Sequence, residues 1–258
     1  MDLLLFKLFV TPLLLLAASL AVRRWGEAVG GLLVGMPLTS GPISVFLALE
    51  HGPVFATQAT AGSLVATAAQ AAFCFVYCRL ASSGWRLALT GAGGAFVIVA
   101  ALLQWSALPQ TLLFLLALIA ITLALNFMPN TATSSARVEA PWWDLPLRMA
   151  LIAALVVSVT LLAPFVGAGV AGVIASFPFM AIILAVFAHR SSGAAAAQQV
   201  MRGMVTGLLG FAAFFFVLSF ALTRTHLVVA YGCAIFCTLA IQALSFYRMR
   251  MPAALPVE

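Results

Sequence analysis

The chain resembles itself. Shifted forward by 141 positions (170 − 29), residues 29–81 lie over 170–222 without a gap. About 14 of the 53 aligned pairs are identical, including Val29/Val170, Gly31/Gly172, Pro37/Pro178, Phe46/Phe187, Gly52/Gly193, Gln58/Gln199 and Gly62/Gly203. Proline, glycine and glutamine are scarce inside apolar helices, so these coincidences weigh more than matched alanines. Any fold for this chain has to house two related halves. In a membrane protein such a repeat points to a site where the halves meet.

The membrane follows from the charge. Only 7% of the residues are charged and 65% are hydrophobic, against about 25% charged in soluble domains. At about 20 residues per crossing, 258 residues leave room for about nine or ten spans and no water-soluble domain. The spans predicted are 3–22, 29–49, 54–78, 87–105, 108–128, 145–163, 168–188, 198–222 and 227–247, numbered 1 to 9 below. Span 1 reads as a retained helix rather than a signal peptide, because Asp2 precedes it and Arg23 and Arg24 follow. Residues 84–128 divide in two at Ser106–Pro109, since a helix of that length would overshoot the bilayer core.

With the N-terminus outside, ten arginines fall on the cytoplasmic side: 23, 24, 79, 86, 137, 148, 190, 202, 248 and 250. Lys7 and Arg224 fall outside. That asymmetry is the positive-inside pattern, and an eight-span threading would scramble it. The net charge of +6 is therefore topological, and nucleic acid is set aside as a partner. The expectation is an all-α polytopic membrane bundle of about nine helices. Residues 1–106 form repeat one and 144–250 repeat two, with a linker helix and cytoplasmic loop at 107–143 and a cytoplasmic tail at 251–258. Five crossings separate the repeats, so they enter the membrane from opposite sides and are inverted.

Each repeat resembles the GlpM-type family of small four-helix bacterial inner-membrane proteins. The residues carrying the likeness are Ala171-Gly172-Val173 through Phe177-Pro178 and the Gly193 turn, with Gly31-Leu32-Leu33 through Met36-Pro37 and Gly52 in repeat one. The resemblance covers most of both repeats but not span 5. It implies a bacterial inner-membrane setting linked to envelope and exopolysaccharide metabolism, and supplies no catalytic residue. The chain departs from that family in its duplication and in the polar Thr39-Ser40-Gly41-Pro42 stretch.

That stretch is the candidate site. Pro37 and Pro42 remove two backbone donors in mid-span, and Gly41 loosens the helix further. Thr39, Ser40 and Ser44 bring hydroxyls to that depth. A helix broken at the midplane is what transporter sites are built from. The equivalent stretch of repeat two keeps Pro178 but carries Met180, Ala181 and Ile182, so a polar site is weighted toward repeat one. Thr57, Gln58 and Thr60 on span 3, and Gln199 and Arg202 on span 8, extend the set of expected substrate contacts. Lys7 and Arg148 overlay under the same shift (148 − 7 = 141) and, with Arg202, point to an anionic substrate. Glu50, the acidic group abutting this core, is the expected coupling residue.

No phosphate loop or nucleophile motif is present, so no enzyme is expected. No cofactor or metal is expected either. The cysteines (74, 78, 233 and 237) lack metal-ligand spacing, and the histidines (51, 189 and 226) are scattered over both faces. Trp25, Trp105, Trp142 and Trp143 sit at span ends as an aromatic belt. The expected function is a secondary transporter or flippase for a small or lipid-linked, anionic substrate. The alternative is a non-catalytic subunit of an envelope-polysaccharide complex, which leaves a homo-oligomer or a mixed membrane complex open. An intramembrane enzyme built on Glu50 and His51 comes third, since it needs a further polar group to converge on them.

Overall fold

The computed structural model describes residues 35–129 and 167–250, with isolated residues between 146 and 166. Seven helices are described. They are α1 (Ser40–Leu80), α2 (Trp85–Trp105), α3 (Gln110–Phe127), α4 (Ala168–Ala175), α5 (Phe179–Ser192), α6 (Ala194–Ala221) and α7 (Leu227–Arg250). No strand occurs among the described residues. Helices are what so apolar a chain requires, because each backbone donor must find its acceptor within the segment. Five of these elements are long and apolar enough to cross a membrane: α1, α2, α3, α6 and α7. Span 1, most of span 6, Lys7, Arg148, most of the linker loop, Trp25, Trp142, Trp143 and the tail lie outside the described residues.

Helix ends fall where the sequence is punctuated. The turn at 106–109 separates α2 from α3, and Pro109 accepts the first backbone bonds of α3 from Leu112 and Leu113. Gly52 breaks α1 with φ 85° and ψ 164°. Gly193, between α5 and α6, has φ 88° and ψ −179°. Only glycine adopts that region readily, so both turns depend on the missing side chain.

Small residues line the closest helix crossing. The α1 segment after Gly52 runs through the centre, packed against α2, α3, α4 and α6, and buries Ala56, Ala59, Gly62, Ser63, Ala66 and Ala69. It crosses α4 almost backbone to backbone. A Cβ added to Gly62 would run into the Gly169 carbonyl, and one added to Gly172 into the Ala59 carbonyl. Small residues let helices approach closely where no hydrophobic force drives them together. Larger side chains fill the interior elsewhere, Phe46, Phe73, Tyr77 and Phe215 among them, while Val97 and Ile98 on α2 and Leu115 and Ile119 on α3 are exposed.

Candidate functional site

Two breaks organise the interior. Residues 35–39 are not helical, and α1 starts only at Ser40. Leu38 donates to the Met36 carbonyl at 2.7 Å across Pro37, and Gly41 donates to the Pro37 carbonyl at 2.9 Å. The gap between α4 and α5 is built the same way. Phe179 donates to the Phe177 carbonyl at 2.9 Å across Pro178, and Ile182 to the Pro178 carbonyl at 3.0 Å. Pro178 has φ −80° and ψ 48°, an inverse γ-turn. In each case proline fixes the turn and its missing N–H interrupts the helical ladder.

Beside the Pro37 break lies a cavity of about 480 Å³. The turn and the first residues of α1, among them Gly41, Pro42 and Val45, form one wall, and Tyr231, Ile235 and Leu239 of α7 the other. Phe214 of α6, 3% exposed, closes the inside, while Ile235 and Leu239 at the mouth are 50% and 52% exposed. Ser44 and Tyr231 hydroxyls meet at 2.7 Å and tie the two walls together. At the Pro178 break the equivalent of Met36 is Phe177, whose ring packs on Phe96 at 5.0 Å and on Phe179 at 4.5 Å.

The expected site residues divide. Pro37, Gly41 and Pro42 line the cavity, and Ser44 braces it from behind. Thr39 precedes the first turn of α1 without a capping side-chain bond, and the Ser40 hydroxyl is buried with no hydrogen-bond partner. The span 3 residues form a different group. Thr57 bonds to the Pro53 carbonyl, Thr60 to the Thr57 carbonyl, and Gln110 of α3 reaches both Thr57 and Thr60. Gln58 and Glu50 are exposed, and Gln199 is buried. Arg202 donates to the Met128 carbonyl at 3.2 Å, at the end of α3. None of Thr57, Gln58, Thr60, Gln199 and Arg202 is among the residues lining the cavity beside Pro37.

Sequence reasoning missed a buried polar seam at the Pro178 break. Ser176 bonds to Ser63 at 3.1 Å, and Gln70 donates to the Ser176 carbonyl. Ser63 and Gln70 belong to α1, so the seam fixes the broken segment between α4 and α5 to that long helix. A polar residue directly before the Phe177-Pro178 pair was the available signal. Tyr231 carried a weaker one, as a hydroxyl near the start of span 9. Among the described residues no cluster of metal-ligating side chains occurs. No protein-family model, curated protein sequence or solved structure matches the chain.

Proposed function

We propose that the chain is a secondary transporter or flippase, working where two inverted repeats meet beside the broken span 2. The observation that carries this reading is the pair of equivalent proline breaks, with a cavity of about 480 Å³ beside the one at Pro37. The hydrogen bonds around Pro37 and Pro178 correspond pair for pair under the 141-residue shift. The contacts between halves also correspond. A Cβ on Gly35 would meet the Met204 carbonyl at 2.5 Å, and Ser176 touches Ser63. Adding 141 turns 35 into 176 and 63 into 204, so each contact is the partner of the other, as a pseudo-two-fold axis requires.

The nine-span threading gains support from what meets at the helix ends. On the side assigned to the cytoplasm, Arg86 and Arg190 both approach the Trp85 ring, at 5.3 and 6.0 Å. Tyr77 reaches His189 at 3.2 Å and Gln198 reaches the Cys78 carbonyl at 2.9 Å on that side. On the opposite side Gln110 meets Thr57. A bacterial inner-membrane location and kinship of each half with GlpM-type units belong to the same proposal. They rest on the residues quoted for them.

Purified protein in vesicles should accelerate movement of a fluorescent lipid between leaflets, read by chemical quenching of the outer leaflet. Ser40→Val and Glu50→Gln should each slow it. No acceleration by the wild type refutes the transporter, and unchanged rates in both variants refute the residue assignment. A non-catalytic subunit of an envelope-polysaccharide complex is the second reading. It is favoured by how many of the polar groups, Thr57, Thr60 and Arg202 among them, end in bonds between or within helices. It requires a stable partner complex in native membranes and no lipid movement.

A further inference from the structure

We propose that the groove beside Pro37 takes the acyl chain of one membrane phospholipid, admitted sideways between α1 and α7. The inference rests on reading the break of span 2 as the substrate site, and it names what enters there.

The walls decide against a polar solute. Only two polar side chains line the cavity, Tyr231 and Thr238. Both hydroxyls are engaged within the protein: Tyr231 with Ser44 at 2.7 Å, and Thr238 with the Ala234 and Gly210 carbonyls at 2.8 and 3.2 Å. An ion or sugar entering would shed water and find no replacement partner. The mouth identifies the source. Ile235 and Leu239 are half exposed on a helix long and apolar enough to span the membrane, so hydrocarbon borders them. The size fits as well. About 480 Å³ lies within the roughly 300–1,000 Å³ of ligand pockets. Tyr231 to Leu239 is eight residues of helix, about 12 Å. One leaflet of a core about 30 Å thick is about 15 Å deep. The groove thus accepts one chain from one leaflet.

The test uses the full-length protein in phosphatidylcholine vesicles doped with a phosphatidylcholine whose tail carries a photoactivatable diazirine. Cross-linked residues are mapped by mass spectrometry. Val45, Ile235 and Leu239 should be labelled several-fold more than Leu115, Ile119 and Leu123 of α3, which are 47%, 53% and 51% exposed but do not line the cavity. Gly41→Leu should cut groove labelling several-fold and leave α3 labelling unchanged. Its first added carbon would lie 3.7 Å from Phe214, an ordinary contact, and the rest of the side chain fills the groove. Leu239→Trp blocks the mouth from the lipid side and should give the same loss if Gly41→Leu does not fold. Equal labelling of groove and α3, or undiminished groove labelling in the folded variants, overturns the proposal. So does displacement of the acyl probe by a stoichiometric polyprenyl phosphate, which would make that chain the occupant. Groove labelling without lipid movement would remove the transporter reading and uphold this one. Lipid movement with an unlabelled groove would do the reverse.

Discussion

The crossing of α1 and α4 yields the sharpest prediction, because the obstacle there is backbone. A methyl on Gly62 would run into the Gly169 carbonyl, with the Val173 nitrogen also 3.0 Å away. No side chain can rotate out of the way, so the helices must separate and lose packing along the whole crossing. Overpacking of this kind costs about 1–3 kcal/mol. The same substitution at Gly93, in α2 and with no atom near its added carbon, should instead gain the roughly 0.5–1 kcal/mol by which alanine exceeds glycine in a helix. Gly91→Ala falls between them, because the atom it meets is the movable end of Leu80. At roughly 2–4 °C per kcal/mol for a chain of this size, Gly62→Ala should lower the unfolding midpoint by about 2–12 °C. Gly93→Ala should leave it level or raise it. The midpoints are read in one detergent by loss of the monodisperse peak after heating. Gly172→Ala should match Gly62→Ala, and the double variant should cost less than the sum because both relieve themselves through the same separation. If Gly62→Ala is as benign as Gly93→Ala, the close crossing is refuted.

Tyr231→Phe removes the bond to Ser44 and should cost about 0.6 kcal/mol, at most about 1.7. Ser44→Ala combined with it should add almost nothing further, which a double-mutant cycle in the same thermal assay checks. Gln70→Leu should cost more, about 1–3 kcal/mol, since it strands a carbonyl that α5 cannot satisfy beside Pro178. Arg202→Met frees the Met128 carbonyl at the last turn of α3, so hydrogen exchange of residues 124–128 should speed up while that of α2 stays unchanged. Reporter fusions after residues 135 and 250 should both lie in the cytoplasm, and labels placed at Ser106 and Arg224 should react from outside. Any other pattern refutes the nine-span threading.

The sequence was legible where it is punctuated. Glycines at 52 and 193, prolines at 37, 109 and 178, and the polar turn at 106–109 each coincide with a break or a helix end. Each acts through a local property, a tolerated φ or a missing donor, that needs no knowledge of the rest of the fold. What meets what was much less legible. In a soluble helix the apolar stripe names the buried face, but a helix apolar all round has no stripe to read. Hence Thr39, Ser40, Gln58 and Arg202 read as one site, although Gln58 turns to the surface and Arg202 to the end of α3. One local cue does survive, small size at the close crossing of α1 and α4. Along α1, Ala56, Ala59, Gly62, Ser63 and Ala66 are buried, whereas exposed positions on α2 and α3 carry valine, isoleucine and leucine.

Residue size also differs between the two proline turns. At the first break the residues flanking proline are Met36 and Leu38, and at the second they are Phe177 and Phe179. The two turns carry matching backbone hydrogen bonds. Phenylalanine is planar and bulky, and Phe177 settles between Phe96 and Phe179 in edge-to-face and tilted contacts. Met36, on the same side of its proline, is slimmer and flexible and lines the cavity. Of the polar residues in the Thr39–Ser44 stretch, Ser44 is bonded to Tyr231 and the Ser40 hydroxyl has no partner among the described residues. Small and slender residues around Pro37 leave room, while the hydroxyls nearby hold its walls.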